Sequence, residues 1–303
     1  MRALPPPLEA LTGAIVAENP VHAAFIESSI ERLSEDALQA LSEYVDYCAK
    51  REKDVVYLAG CYNTIVNDTL AEQFFFMKHG RYRYSRYSEV AENVYFDPVY
   101  MNKYMYGLAL TSFLWPNHAQ IFEFFQATFP RGKSGVYLEI GPGHGYHIRK
   151  AAELGNFHRL VGIDISPTSV AMTRDILAHS GLQSSAEIRI VETDFLSSLE
   201  EDRIYACIVM GEVLEHVEEP ERFLRSVAAR SDAATHVFVT TCVNAPAVDH
   251  IFLFRTTREV EDLIRCCGFE IVEALHVPMT GQTLADCALQ ALPINVAYTL
   301  RKF

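Results

Sequence analysis

The residues best suited to chemistry in this sequence form a glycine-rich turn within residues 138–146. An apolar run there leads directly into Gly141, Gly143 and Gly145. Glycine adopts positive φ angles and carries no side chain, so such a turn lets a ligand approach the backbone closely. Dinucleotide-binding enzymes place their third glycine one position later, where this chain has Tyr146. The pattern therefore predicts a ligand at this turn and argues against NAD or FAD.

Two carboxylates are placed where they can serve a ligand at this turn. Glu139 ends the apolar run before the first glycine, and Asp164 ends the next run, 19 residues after Gly145. A carboxylate at the second position can accept hydrogen bonds from both hydroxyls of a ribose. The alternative is that Asp164 only caps a helix that begins at Ser166-Pro167. The glycine turn and the acid occur together, which favours the ribose role.

Histidines after the later apolar runs are candidates for a general base. His250 follows the fifth run beside Asp249, and His216 follows the fourth. A neutral histidine near a carboxylate can accept a proton at neutral pH, although adjacent residues of an extended chain point apart. We predict His250 and His216 as catalytic residues, against the alternative that each is structural. His144 and His147 flank the glycine turn and are further candidates.

An alternation of short apolar runs and helical stretches must position these residues. It begins near residue 133 and is typical of a mostly parallel sheet with crossover helices. We therefore predict an α/β domain over residues 133–303 with a seven-stranded sheet. The runs expected to form strands are 135–140, 160–163, 187–191, 204–210, 236–241, 269–277 and 294–300.

Residues 1–132 have helical patterning, with apolar residues at spacings of three and four and no strand alternation. Ser34 can cap a new helix inside one such run, Gly80 can end another, and Pro116 suits the first turn of a third. We expect an all-helical lid over a ligand pocket. One predicted apolar stripe contains Tyr62, Ile65, Val66, Leu70, Phe74 and Met77.

The segment 82–106 of this helical region is rich in tyrosine. Aromatic walls suit a flat apolar ligand and exclude water. Tyr100, Tyr104 and Tyr106 are our candidates for contact with the pocket or a cofactor. The alternative for each is ordinary packing of a helix against the sheet.

From about residue 134 to 303 the sequence resembles the class I S-adenosylmethionine-dependent methyltransferases of the ubiquinone-biosynthesis type. The glycine turn, Asp164, Asp194-Phe195 and the segment 205–217 match four motifs of that family in order. The resemblance implies a Rossmann-like sheet with helices on both faces and S-adenosyl-L-methionine as cofactor, with S-adenosyl-L-homocysteine as its product. The expected cofactor contacts are Glu139, Gly141, Gly143, Gly145, Asp164, Ile165, Asp194, Phe195, Gly211, Glu212 and Tyr104.

The resemblance also implies a role for each motif. Glu139 and the three glycines would line the methionine part of the cofactor, and Asp164 would hold the ribose. Asp194 would accept from the adenine amine while Phe195 packs on the ring. The acceptor is expected to be a small aromatic or apolar molecule, with O-methylation favoured over N- or C-methylation.

Departures from related enzymes narrow these expectations. Metal-dependent catechol enzymes carry an aspartate at the end of strand four, where this chain has Gly211-Glu212, so we expect no metal ion. The motif that nucleic-acid N6-methyltransferases carry at this place is also missing. Two alternatives stay open, a non-methylating enzyme such as a cyclase that binds the same cofactor, and a nucleic-acid or protein methyltransferase.

Composition limits the partners and the compartment. The chain of 303 residues has a formal net charge of −13, which repels nucleic acid and anionic membranes. Its seven cysteines form no metal-binding or disulfide pattern, which favours a reducing cytoplasm. We therefore expect a cytoplasmic protein with a small-molecule partner, no nucleic acid and no membrane, and we allow for a homodimer.

Overall fold

The computed structural model describes residues 4–179, 181–182, 184–197 and 203–303. In this part of the chain, seven α-helices precede the first strand, with a 3₁₀ turn at Pro20–His22 and a π-helical turn at Ala91–Tyr95. The helices are α1 (Pro6–Glu18), α2 (Ala23–Arg32), α3 (Glu35–Ala49), α4 (Val55–His79), α5 (Tyr87–Val90), α6 (Pro98–Leu114) and α7 (Pro116–Thr128).

Local signals set several of these helix ends as predicted. The Ser34 hydroxyl accepts a hydrogen bond from the Ala37 amide at 3.1 Å, so one apolar stripe is divided between α2 and α3. Gly80 ends α4 at a φ of +65°, in the left-handed region that glycine tolerates. Pro116 occupies the first turn of α7. These ends depend on single residues, which is why sequence patterns predict them well.

The apolar stripe predicted along α4 is only partly buried. Tyr62 and Ile65 are buried, whereas Leu70, Phe74 and Met77 are between 51% and 73% exposed. Tyr100, near the start of α6, bonds to Asp68 of α4, and Leu70 and Met77 in the following turns of α4 line the cavity described below.

The seven strands form one sheet, as predicted. Its order is β3-β2-β1-β4-β5-β7-β6, and β7 runs antiparallel to both of its neighbours while the remaining pairs are parallel. The carboxyl ends of β1, β2, β4 and β5 therefore meet at one edge. The strands are β1 (Ser134–Ile140), β2 (Asn156–Asp164), β3 (Glu187–Glu192), β4 (Cys207–Met210), β5 (His236–Val243), β6 (Phe269–Pro278) and β7 (Ile294–Lys302).

Helices cover both faces of this sheet. Tyr137 and Phe238 point into a hydrophobic cluster shared with the N-terminal helices, α8 and α9. Leu138 and Val239, one residue further along their strands, point into a second cluster with α10 and α11. No helix in the described ranges is long and apolar enough to span a membrane. The remaining helices are α8 (Tyr146–Leu154), α9 (Pro167–His179), α10 (Pro220–Ala229), α11 (Thr257–Cys266) and α12 (Leu284–Gln290).

Candidate active site

A large cavity lies at the carboxyl ends of the parallel strands, between the sheet edge and α6. Its volume is about 1,040 Å³. That lies at the upper end of the roughly 300–1,000 Å³ that is usual for small-molecule sites. The glycine turn and Asp164 line one part, and Met101, Leu108 and Phe122 of the N-terminal helices line another. The cavity therefore has room for a cofactor and a second molecule side by side.

Gly141 and Gly143 of the glycine turn line the cavity, with φ angles of +69° and +56°. A Cβ atom on Gly143 would lie 3.6 Å from the sulfur of Met105, so the turn sits directly under α6. A Cβ atom on Gly141 would lie 2.9 Å from a methyl group of Val213. The turn thus needs glycine for its backbone angles and, at Gly141, for space.

Gly145 has a different role from the one expected. It is not among the described residues that line the cavity. A Cβ atom there would lie 2.8 Å from a methyl group of Ile176 and 2.9 Å from the Cα atom of Thr173. This glycine, at a φ of +80°, therefore permits the close approach of α9 to the turn and makes no wall for a ligand.

Glu139, a further expected cofactor contact, is likewise not among the described residues that line the cavity. Its carboxyl group accepts a 2.5 Å hydrogen bond from the hydroxyl of Tyr137, two residues earlier on β1. Residues two apart on a strand share a face, so Glu139 points toward the buried cluster under the N-terminal helices. Burial raises the pKa of Glu139 to about 8, so this acid is mostly protonated at neutral pH.

Asp164 ties the glycine turn to the start of α9. One carboxylate oxygen accepts from the Gly143 amide at 3.1 Å, and the other accepts from the Ser166 amide at 2.9 Å. Burial raises the pKa of Asp164 to about 6, while these backbone hydrogen bonds lower it. Each oxygen keeps a further lone pair, and both Asp164 and Ile165 line the cavity. Asp164 can therefore cap the helix and still accept hydrogen bonds from a ligand.

Asp194 and Phe195 follow β3 at the same edge of the sheet and line the cavity. The Asp194 carboxylate accepts from the Leu196 amide at 2.9 Å, which fixes its orientation. Phe195 is only 3% exposed and packs against Phe223, with ring centroids 5.6 Å apart. Its ring is therefore almost completely covered and leaves little surface on which a ligand could stack.

An acidic residue with a strained backbone conformation follows β4. Gly211 and Glu212 line the cavity, and Glu212 has a φ of +50°, which is unfavourable for a residue with a side chain. Its amide donates to the Thr240 hydroxyl at 2.9 Å, which anchors this conformation. The carboxyl groups of Glu212 and Glu215 interact, and burial raises both pKa values. Gly211 and Glu212 thus lie where the cofactor contacts were expected.

The two candidate catalytic histidines meet beside Asp249. Their ring centroids are 4.8 Å apart, and both line the cavity. Nδ1 of His216 lies 3.5 Å from a carboxylate oxygen of Asp249, and Tyr104 donates to the other oxygen at 2.9 Å. The same nitrogen of His216 lies closer, at 3.1 Å, to the main-chain carbonyl oxygen of Asp249, and the sequence neighbour His250 has a different partner.

His250 contacts the main chain, with its Nδ1 atom 2.6 Å from the Ala245 carbonyl oxygen. A carbonyl oxygen only accepts, so this contact assigns the proton to Nδ1 and makes Nε2 the basic nitrogen. Burial lowers the pKa of His250 to about 4, which keeps the ring neutral at neutral pH. His250 is therefore available as a proton acceptor or as a nitrogen ligand.

The cavity wall is acidic in the described part of the chain. No lysine or arginine lines the cavity in the described part of the chain. Such a wall attracts a cationic ligand and repels phosphate groups. Seven carboxyl side chains line it, namely those of Asp68, Asp164, Asp194, Glu212, Glu218, Glu219 and Asp249.

Sequence reasoning missed part of this wall. Of the three tyrosines proposed for the pocket, Tyr104 lines it, while Tyr100 bonds to Asp68 and Tyr106 packs against Tyr57. Tyr95 lines the cavity and contacts His216 at 3.1 Å. Tyr95 ends the π-helical turn, and no periodicity signals such a turn in advance.

The sequence indicates two of the three buried histidines at the glycine turn. His144 and His147 flank the turn, and His118 of α7 joins them in lining the cavity. Burial lowers the pKa values of His118 and His144 to about 4 and that of His147 to about 3. These rings are neutral at neutral pH, so each has one nitrogen that donates a hydrogen bond and one that accepts. The helix packing that brings His118 here leaves no signal in the local sequence.

Comparison with known proteins agrees with this site. Residues 117–274, just over half of the chain, match a family described as a methyltransferase domain. No curated protein sequence matches the chain significantly.

Two solved structures illustrate the likeness in fold. The mitomycin 7-O-methyltransferase MmcR has a TM-score of 0.55 at 13% identity, covering 82% of this chain and 70% of that one. Phosphoethanolamine N-methyltransferase 2 of Haemonchus contortus, solved with phosphomonomethylethanolamine and S-adenosylhomocysteine, has a TM-score of 0.52 at 11% identity. That match covers 72% of this chain and 60% of the other.

Proposed function

Because this chain belongs to the methyltransferase domain family, an enzyme family that uses S-adenosylmethionine, we propose that it methylates a small organic acceptor, preferentially on oxygen. The observation that carries the proposal is the shape of the cavity. One part is bounded by the glycine turn and Asp164, and the other by apolar side chains of the N-terminal helices. A cofactor and an acceptor can therefore share one enclosure, as direct methyl transfer requires.

The residues at the sheet edge fit S-adenosylmethionine. The cofactor carries a sulfonium and an ammonium group, and the wall offers carboxylates without lysine or arginine among the described lining residues. Gly141 and Gly143 would border its methionine part, Asp164 would accept from the ribose hydroxyls, and Asp194 would accept from the adenine amine. When bound, the cofactor supplies an electrophilic methyl group.

The acceptor part of the cavity favours an apolar molecule. Ile65 of α4 and Met101, Leu108 and Phe122 of α6 and α7 line it. Burying a flat apolar ligand against these side chains removes water from the reacting atoms and contributes binding energy. A folded protein or a nucleic-acid duplex would not reach reacting groups under α6, so a small molecule is the proposed partner.

Oxygen is the proposed nucleophile because two histidines that line the cavity can accept the proton that a hydroxyl group loses. His250 is neutral with Nε2 free of its backbone contact, and His216 is held against Asp249. A hydroxyl loses its proton on methylation, and a positioned base contributes roughly 10²–10⁴-fold to such a step. These two histidines are the proposed catalytic residues.

Methylation of nitrogen is the second candidate, and one observation favours it. The carboxylates of the cavity wall, Asp68 and Asp249 among them, would also attract a protonated amine. The amine would then have to lose a proton to the same groups before it could react.

One assay with paired acceptors tests the proposal. The protein is incubated with S-adenosylmethionine and with phenols and anilines of matched ring systems, and release of S-adenosylhomocysteine is followed by mass spectrometry. We expect release with at least one phenol and a methyl ether as product. Methylation of anilines alone would move the assignment to nitrogen. Cofactor binding without release from any acceptor would overturn the transferase and favour a non-methylating enzyme such as a cyclase.

A further inference from the structure

Three side chains of the cavity wall converge, and two of them are the histidines proposed above as bases. His216 lies in a 3₁₀ turn after β4, and Asp249 and His250 lie in the loop after β5. One ligand-type atom from each lies within 4.8 Å of the other two. All three residues line the cavity. The loops that follow two adjacent strands thus place two imidazoles and one carboxylate around a common point.

Each of these side chains is oriented by a further contact. Nδ1 of His250 lies 2.6 Å from the Ala245 carbonyl, which leaves Nε2 as its ligand atom. One carboxylate oxygen of Asp249 accepts from Tyr104 at 2.9 Å, and Nδ1 of His216 lies 3.1 Å from the main-chain carbonyl oxygen of Asp249. Hydrogen bonds that hold the far side of a ligand are characteristic of metal sites, since they fix the tautomer and the direction of the free atom.

Two further carboxyl groups are buried near these side chains. Glu212 and Glu215 lie beside the histidines, and each has one buried carboxyl oxygen without a hydrogen-bond partner in the described structure. Glu215 is 0% exposed.

We propose that His216, Asp249 and His250 bind a divalent transition-metal cation. Two imidazoles suit a metal such as Co²⁺ or Zn²⁺ better than Mg²⁺, and three protein ligands leave positions open toward the cavity. A cation there would occupy the nitrogens otherwise available as bases, and it would assist deprotonation of an acceptor hydroxyl instead, by coordinating its oxygen and lowering its pKa. The sequence predicts no metal ion because Gly211-Glu212 stands where metal-dependent enzymes carry an aspartate. The ligands proposed here lie elsewhere, in the 3₁₀ turn after β4 and in the loop after β5.

Only this catalytic consequence rests on the proposed function. Binding of the cation itself depends on the three side chains and is measured without cofactor or acceptor.

Titration of the metal-free full chain with Co²⁺, followed by calorimetry and visible absorption, tests the site. We expect one Co²⁺ per chain with micromolar or tighter affinity and no thiolate charge-transfer band. His216→Ala and Asp249→Asn should each weaken binding at least 10-fold. Cys266→Ser and His179→Ala alter exposed residues outside the cavity and should leave it unchanged. Circular dichroism of each variant checks that it is folded.

Three results would overturn the assignment. The wild-type chain could fail to bind Co²⁺ at one equivalent, or binding could persist in both His216→Ala and Asp249→Asn. A thiolate band would place the cation instead on Glu215, Cys242 and His250, which also lie close together.

The same preparation separates this inference from the proposed function. Methyl transfer by a chelator-treated chain that binds no Co²⁺ would refute the metal site and leave the transferase intact. Stoichiometric Co²⁺ binding in a chain that methylates no acceptor would support the metal site and refute the transferase.

Discussion

The hydroxyl group of Tyr104 donates a 2.9 Å hydrogen bond to the carboxylate of Asp249, and both residues are buried. Tyr104 belongs to α6 of the N-terminal helices, and Asp249 to the loop after β5. The bond therefore joins the helical region to the carboxyl-end edge of the sheet, and it orients an acid that lies 3.5 Å from Nδ1 of His216.

Removing this hydroxyl should destabilise the protein. Tyr104→Phe leaves a buried carboxylate oxygen without its donor, which costs about 1–3 kcal/mol. Urea denaturation measures the change in the free energy of unfolding. Tyr84→Phe is the matched control, because no described residue bonds to the hydroxyl of this half-buried tyrosine. Equal stability of the two variants would show that the Tyr104 contact is weak in solution.

Replacing Glu139 should change how stability depends on pH. Burial raises its pKa from 4.5 to about 8, so between these values the folded chain holds a proton that the unfolded chain releases. This group therefore makes the free energy of unfolding fall as pH rises from about 4.5 to 8, by up to about 1.4 kcal/mol per pH unit. Glu139→Gln keeps a neutral acceptor for Tyr137 and removes that slope.

Denaturant melts of wild type and Glu139→Gln at several pH values measure this effect. The difference between the two proteins isolates Glu139 from other buried groups, some of which have the opposite pH dependence. Parallel curves across the whole range would mean that Glu139 is ionised in the folded protein.

Two glycines with similar backbone angles should respond differently to alanine. Gly145→Ala adds a methyl group 2.8 Å from Ile176 and 2.9 Å from Thr173, whereas Gly80→Ala meets nothing within 4 Å. Both substitutions carry the strain of a positive φ. Overpacking adds about 1–3 kcal/mol at Gly145 alone. Thermal and urea unfolding compare the two variants, and equal losses would refute the close packing of α9 on the turn.

Removing the acid at the end of β2 should weaken cofactor binding. Asp164→Ala loses the acceptor proposed for the ribose hydroxyls, which we expect to cost about 1–3 kcal/mol of binding free energy. Calorimetry with S-adenosylhomocysteine measures it. Asp46→Ala removes an exposed carboxylate outside the cavity and should bind as wild type does. Unchanged affinity of Asp164→Ala would restrict Asp164 to capping α9.

Replacing His250 should lower turnover and leave the affinity for the cofactor unchanged. His250→Ala removes a neutral nitrogen at the acceptor end of the cavity, so we expect turnover to fall by roughly 10²–10⁴-fold. Affinity for S-adenosylhomocysteine should stay the same, because His250 lies away from the glycine turn in the loop after β5. His158→Ala, an exposed residue on β2, serves as control. Wild-type turnover in His250→Ala would make the residue structural.

Much of the fold follows from local pattern in the sequence. The alternation of apolar runs predicts seven strands because burial on both faces of a parallel sheet requires continuous apolar residues. Gly141 and Gly143 indicate the turn because only glycine adopts its positive φ angles without strain. Asp164 is identified by its distance along the chain from that turn, since adjacent parallel strands end at the same edge.

Tertiary structure decided which of these residues reach the cavity. The strand face directs Glu139 toward the core, and the packing of α9 occupies the space beside Gly145. His216, Asp249 and His250 meet only because two adjacent strands end together, and Tyr104 reaches Asp249 only because α6 packs over the sheet edge. These contacts join residues distant in the chain, and their geometry depends on the balance of packing across the whole core, which no local pattern encodes.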